Sequence, residues 1–233
     1  IESIIMAILD FGKIIVSVDK FRQSSIFDAL VERLDTIFRG ERNFSDKDRF
    51  AEYPVTKVEK NWESESEKRN VIALVRVNHA GEISAQGLYL GQALFSRDQN
   101  NFRFLLKAAS EERRHLAWCS RRLEELNGEE SVFTPLWFLG SLSIGALVSI
   151  GGDSISLGFV EETERQVSQH LDGHLSKIPP HDKITRSVFA HMRQEELEHG
   201  KEADLLGGAT LPLFAKKLMG IAALVMKETA QRL

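Results

Sequence analysis

Two Glu-x-x-His units carry the chemistry of this sequence: Glu112-Arg113-Arg114-His115 and Glu196-Leu197-Glu198-His199. Residues three apart share one face of a helix, so each unit aims a carboxylate and an imidazole at a common point. One such unit alone is an ordinary surface pattern. Here two further carboxylates stand at matched distances, Glu82 thirty positions before Glu112 and Glu164 thirty-two before Glu196. The chain therefore repeats a glutamate-bearing helix, a turn and a Glu-x-x-His helix. In an antiparallel hairpin, residues equidistant from the turn come side by side. Glu164 and Glu196 flank Pro179-Pro180 almost evenly, and Glu82 and Glu112 flank Asn100 more loosely, so all six groups are expected at one level.

The stripes around these residues are apolar: Leu105, Ala108, Cys119, Leu123 and Leu126 beside Glu112 and His115, and Leu157, Val160, Val167 and Leu171 beside Glu164. A carboxylate on such a stripe is costly to bury unless it is paired or binds a metal. Four glutamates and two histidines cannot neutralise one another, whereas two divalent cations would. Carboxylate oxygens with imidazoles and no thiolate suit iron or manganese rather than structural zinc. One Glu from each of two helices and Glu-x-x-His from each of two others is the ligand arrangement of ferritin-like di-iron and di-manganese bundles.

The elements that must position these groups are helices. Turn signals at 97–101, Asn127-Gly128, Pro135, Pro179-Pro180 and Gly207-Gly208 with Pro212 divide the chain into helices near 69–96, 102–126, 153–177, 182–206 and 212–231. Strand signals are nearly absent, which predicts an all-α, ferritin-like four-helix bundle. An uncharged stretch at 132–151 adds an apolar helical piece near 135–150. It has about the length of a membrane span, but Pro135, the glycines and the serines weaken that reading. A core helix, a segment lying in the membrane interface and a tunnel lining remain open. Before the bundle, residues 24–39 read as a short amphipathic helix (Ile26, Leu30, Leu34, Phe38) and 40–67 as a linker. The chain thus divides into an N-terminal segment, residues 1–68, and a bundle domain, residues 69–233.

The 233 residues carry a net charge of −4, with no basic arm or basic aromatic patch, so no nucleic-acid partner is expected. The single cysteine, Cys119, excludes an internal disulfide framework and thiolate-rich clusters. The opening stretch IESIIMAILDFGKIIVSV, interrupted by Asp10 and Lys13, reads neither as a signal peptide nor as a spanning helix.

Arg76-Val77-Asn78-His79-Ala80-Gly81-Glu82, followed by Tyr89-Leu90-Gly91-Gln92, resembles the opening helix of the demethoxyubiquinone hydroxylase family. Glu112-x-x-His115-Leu116, Pro135-Leu136-Trp137 with its glycine-rich continuation, Glu164 with His170, and Glu195-Glu196-Leu197-Glu198-His199 extend the resemblance over about residues 70–233. It implies metal ligands Glu82, Glu112, His115, Glu164, Glu196 and His199, with Glu112 and Glu196 or Glu164 able to bridge. Glu161 and Glu162 compete for the third position; Glu164 keeps the spacing to His170 and the level of Glu196. Asn78 stands where many eukaryotic members have Asp, and His170 is followed by Leu rather than Tyr. The cofactors implied are two iron ions per chain and an external two-electron reductant. The implied reaction is O2-dependent hydroxylation of a polyprenylated 6-methoxy-3-methyl-1,4-benzoquinol (demethoxyubiquinol) in ubiquinone biosynthesis. Such a monooxygenase would work as a peripheral enzyme on the cytoplasmic face of the cell membrane, with residues 132–151 facing the membrane surface and other ubiquinone-biosynthesis proteins as potential partners.

A ferritin-like iron oxidase or storage protein would use the same ligands, but it gives the apolar stretch no purpose. Around the ligands, His79 reads either as an orienting group or as a structural histidine. Tyr89 and His170 are candidates for hydrogen bonding near the metals, and His174, His181 and His191 are expected at the surface.

Overall fold

A computed structural model describes residues 62–232 and, before them, 31–37, 39, 47, 50 and 53. Residues 31–37 and 39 are helical, inside the predicted 24–39 helix; the remainder of that helix, most of the proposed linker and the opening stretch lie outside the described residues. The bundle comprises α1 (Glu65–Phe95), α2 (Gln99–Leu126), α3 (Thr134–Ile150), α4 (Asp153–Leu175), α5 (Lys183–Leu205) and α6 (Leu213–Arg232). No strand occurs among the described residues.

Local chemistry sets the helix ends. The Ser64 hydroxyl accepts the Glu67 N–H at 3.1 Å and starts α1 a turn earlier than periodicity indicated. Asp98, read in sequence as part of a turn, is the N-cap of α2 and accepts the N–H groups of Asn100 and Asn101. Asn127 closes α2 in the left-handed region at φ 56°, a conformation asparagine tolerates well, and Gly128 N–H returns to Leu123 O. Pro135 falls in the first turn of α3, where its missing N–H has no partner to lose.

Helices α1 and α2 form one antiparallel hairpin, α4 and α5 another. Between them α3 runs parallel to α1 and returns the chain to the end from which α4 descends. Its contact with α1 is backbone against backbone. A Cβ on Gly87 would sit 2.5 Å from Phe138 O, one on Gly91 2.9 Å from Ala146 N, and one on Gly145 2.9 Å from the Leu88 carbonyl carbon. Only glycine permits that approach. Ser149 adds a hydrogen bond to Gln92 O at 2.7 Å. α6 descends across α1 and α4, held by Lys216–Glu162 at 3.1 Å and by Met226 and Ala230 against Val77, Ala80 and Trp137.

The hairpins meet through shared apolar clusters and through polar pairs. α1 reaches α4 through Gln92 to Ser156 and Asn78 to His174. α2 reaches α5 through Lys107–Glu202 and through Arg122 to Asp182 and Thr185. Only Thr134, Phe138, Gly145 and Ser149 of α3 are buried, so it is not a core helix: Leu136, Ile144, Leu147 and Ile150 face outward. α6 likewise exposes Leu213, Phe214, Leu218, Ile221, Leu224 and Val225. Among the described residues, no helix is long and apolar enough to cross a membrane.

Candidate metal centre

The core is divided in two. One apolar cluster combines Ile83, Leu88 and Leu90 of α1 with Leu105, Ala108, Leu157, Val160 and Ala203. The other combines Val71, Leu74 and Val75 with Cys119, Leu123, Leu171, Val188 and Met192. Glu82, Glu112, His115, Glu164, Glu196 and His199 fall between these clusters on their respective helices, and all six are buried. The fold thus closes a polar layer between two apolar ones, at the common level the turn spacing predicts.

Within the layer the groups sort into two overlapping sets. Glu82, Glu112, His115 and Glu196 bring ligand atoms within 4.8 Å of one another, and so do Glu112, Glu164, Glu196 and His199. Glu112 and Glu196 belong to both sets, as bridging carboxylates between two ions would. His115 Nδ1 lies 3.4 Å from Glu82 and Glu112 and 3.3 Å from Glu196. His199 Nδ1 lies 3.4, 3.8 and 3.5 Å from Glu112, Glu164 and Glu196. None of these contacts has hydrogen-bond geometry. Both Nδ1 atoms, Glu112 Oε1 and both Glu196 oxygens are buried without a hydrogen-bond partner. Buried polar atoms rarely stay unpaired. Converging lone pairs of this donor type fit two divalent cations.

Electrostatics split the four carboxyls. Burial, reinforced by the charge of Glu196, pushes Glu82 and Glu164 well above the ordinary carboxylate range. Glu112 and Glu196 are equally buried, yet the imidazoles lying against them carry both below that range. Burial opposes charge on the histidines too, but the surrounding glutamates hold His115 and His199 well above the usual imidazole value.

The outer ring nitrogens are occupied. His115 Nε2 donates to Glu195 at 2.5 Å, and His199 Nε2 to Glu111 at 2.8 Å. Glu195 is pulled down to about 2 against its burial, by His115 and then by Arg114, with which it pairs. The Tyr89 hydroxyl, fully buried, donates to Glu164. His79 lies elsewhere: its Nε2 is 3.0 Å from Ser120 and from Glu130, tying α1 to the segment after α2. The His170 ring lies tilted at 60° against His174 with centroids 3.8 Å apart, and burial lowers the pair to about 2 and about 3. His174, expected at the surface, is buried, because Asn78 Nδ2 reaches its Nδ1 at 2.8 Å across the hairpin interface. His181 and His191 are partly exposed. Glu162, the alternative to Glu164, turns away to Arg165, Gln166 and Lys216.

Sequence reasoning missed the roles of Glu111 and Glu195. The doubled Glu-Glu before each x-x-His was the signal, but it gains meaning only once α2 and α5 are known to face each other.

Comparison with known proteins places this arrangement. The family described as ubiquinone biosynthesis protein COQ7 matches residues 69–230. A 3-demethoxyubiquinol 3-hydroxylase of Ralstonia pickettii is 49% identical over 170 residues, covering 73% of this chain and 78% of the relative. Proteins of the same description from Chromobacterium violaceum (47% over 169 residues, 72% and 82% covered) and Xanthomonas euvesicatoria (46% over 167 residues, 72% and 77%) match a region of similar extent.

Proposed function

The chain belongs to the ubiquinone biosynthesis protein COQ7 family, and from that membership we propose that it hydroxylates a polyprenylated demethoxyubiquinol with O2 at a di-iron centre. The single observation that carries the reading is the pair of overlapping ligand sets sharing Glu112 and Glu196, buried between two apolar layers. In this reading the bundle is ferritin-like and residues 69–230 form its catalytic unit. Glu82 and His115 would hold one iron and Glu164 and His199 the other, with Glu112 and Glu196 available to both sets. Two iron ions bound there supply the redox chemistry of O2 activation.

The chain's own residues set the conditions for that chemistry. The two apolar layers exclude water from the centre, so the ligand carboxylates are not competed by solvent. Tyr89 orients Glu164 by donating to one of its oxygens. The outward apolar faces of α3 and α6 support peripheral docking on the cytoplasmic face of the cell membrane, where a quinol's isoprenoid tail resides. An external two-electron reductant completes the balance: one oxygen atom of O2 enters the ring C–H and the other leaves as water. Other ubiquinone-biosynthesis proteins are proposed as neighbours at that surface.

The test is product mass after iron-loaded protein, reductant and a short-tail demethoxyubiquinol meet oxygen-18 gas. One labelled oxygen in the ring is the expected result. Iron oxidation and oxygen uptake with the quinol unchanged would replace the hydroxylase with an iron oxidase.

A further inference from the structure

Each Glu-x-x-His unit is preceded by a second glutamate, giving Glu111-Glu112-x-x-His115 on α2 and Glu195-Glu196-x-x-His199 on α5. Successive residues are rotated by about 100° around a helix axis. When Glu112 and Glu196 point into the bundle, the glutamate before each faces the neighbouring helix. α2 and α5 are antiparallel neighbours, so the two outer glutamates cross the gap in opposite directions. Glu195 of α5 takes the Nε2 hydrogen of His115 on α2 at 2.5 Å, and Glu111 of α2 takes that of His199 on α5 at 2.8 Å. Neither outer glutamate pairs with the Glu-x-x-His histidine of its own helix; on its own helix Glu195 lies 3.5 Å from His191 instead. Their side chains are only 20% and 24% exposed, so most of the water that would compete for the imidazole is excluded.

We propose that Glu111 and Glu195 are reciprocal positioning residues, each fixing the ring and tautomer of the histidine on the opposite helix. This rests on the reading that the inner six residues hold two metal ions. An Nε2–H donated outward leaves the Nδ1 lone pair facing inward, where both Nδ1 atoms lie buried without a hydrogen-bond partner. A carboxylate behind a ligating imidazole also makes it a stronger donor. Because the braces are reciprocal, each metal position depends on both helices: one supplies the imidazole and the other holds it in place. Glu195 additionally pairs with Arg114, whose guanidinium lies over the Trp118 ring, so the two braces are chemically unequal.

The experiment measures metal per chain and Fe(II) or Co(II) affinity for the intact protein and for Glu195→Ala, Glu111→Ala, Glu195→Gln and Glu111→Gln. Each alanine variant should lose affinity at one of the two positions by roughly 10–100-fold, the usual cost of removing such a partner. About one tightly held ion per chain should remain. Glutamine keeps an oxygen that accepts Nε2–H, so the glutamine variants should recover the second ion with intermediate affinity. That rescue separates positioning from a plain ion-pair role, since glutamine does not restore a charge pair with Arg114. Two ions bound at unchanged affinity in both alanine variants would overturn the proposal and leave the di-iron reading standing. Failure of the unaltered protein to bind two ions would remove both. Should an alanine variant not fold, absence of the second ion from its soluble glutamine counterpart, at helicity equal to the parent's, would overturn the proposal equally.

Discussion

At the scale of single residues, burial and mutual charge divide the carboxylates of the buried cluster into two kinds. Glu82 and Glu164 are pushed above the ordinary carboxylate range by burial and by neighbouring carboxylates, while the imidazoles beside Glu112 and Glu196 pull these two below it. Ligation requires deprotonated carboxylates and imidazoles, so each metal ion must displace protons. The protonated forms are favoured by low pH, and the groups that hold protons titrate above their ordinary values. Metal affinity should therefore fall as pH falls and keep rising with pH through the neutral range. Calorimetric titration of the metal-free protein with Co(II), repeated in buffers of different ionisation enthalpy, should show more than one proton released per chain. Release of none would mean the layer is already ionised and the charge account is wrong.

At the scale of elements, the placement of α3 depends on glycines. A Cβ at Gly145 would come within 3.0 Å of Gln92 N and closer still to Leu88, whereas one at Gly140 on the same helix meets nothing within 4 Å. Gly145→Ala should cost on the order of 1–3 kcal/mol as the helices are forced apart, and Gly140→Ala should be neutral or stabilise by about 0.5–1 kcal/mol. Denaturant midpoints of the two variants at constant m-value check this; equal effects would mean α3 does not pack as described. The contrast also shows what the sequence could and could not disclose. Helix boundaries were legible because caps and turns are local: Asn127-Gly128 and Pro179-Pro180 act within a few residues of themselves. The convergence of the six residues was legible because Glu-x-x-His spacing and hairpin symmetry are arithmetic. Gly87 against Phe138, Gly91 against Ala146, Gly145 against Leu88, Asn78 covering His174, and Glu195 behind His115 depend on which helices become neighbours. No local pattern encodes that, so a buried histidine was taken for a surface one.

At the scale of the whole molecule, two helices remain with apolar residues facing out. α3 exposes Leu147 at 69% and α6 exposes Phe214 at 68%, and only Ala230 of the twenty residues of α6 is buried. Trp137 of α3 and Met226 of α6 pack against the same Val77–Ala80 stretch of α1, so the two helices border one side of the bundle. Single exposed leucines are ordinary; two neighbouring helices presenting them together mark an interaction surface. Among the described residues no helix is long and apolar enough to cross a bilayer; the membrane docking proposed above would lie in the plane of the interface. Burying one leucine contributes about 1.5–3 kcal/mol, so removing one from each helix should be decisive without touching the centre. Leu147→Asp with Leu218→Asp should weaken binding to phospholipid vesicles by at least about 100-fold, since the lost burial alone approaches 3 kcal/mol. Metal content should stay unchanged, because neither residue borders the ligand layer. Vesicle flotation of the metal-loaded protein reads the first effect and metal analysis the second. Undiminished flotation would assign the exposed faces to a protein partner or a second copy of the chain. Loss of metal together with flotation would show instead that these helices hold the centre in shape rather than the protein on the membrane.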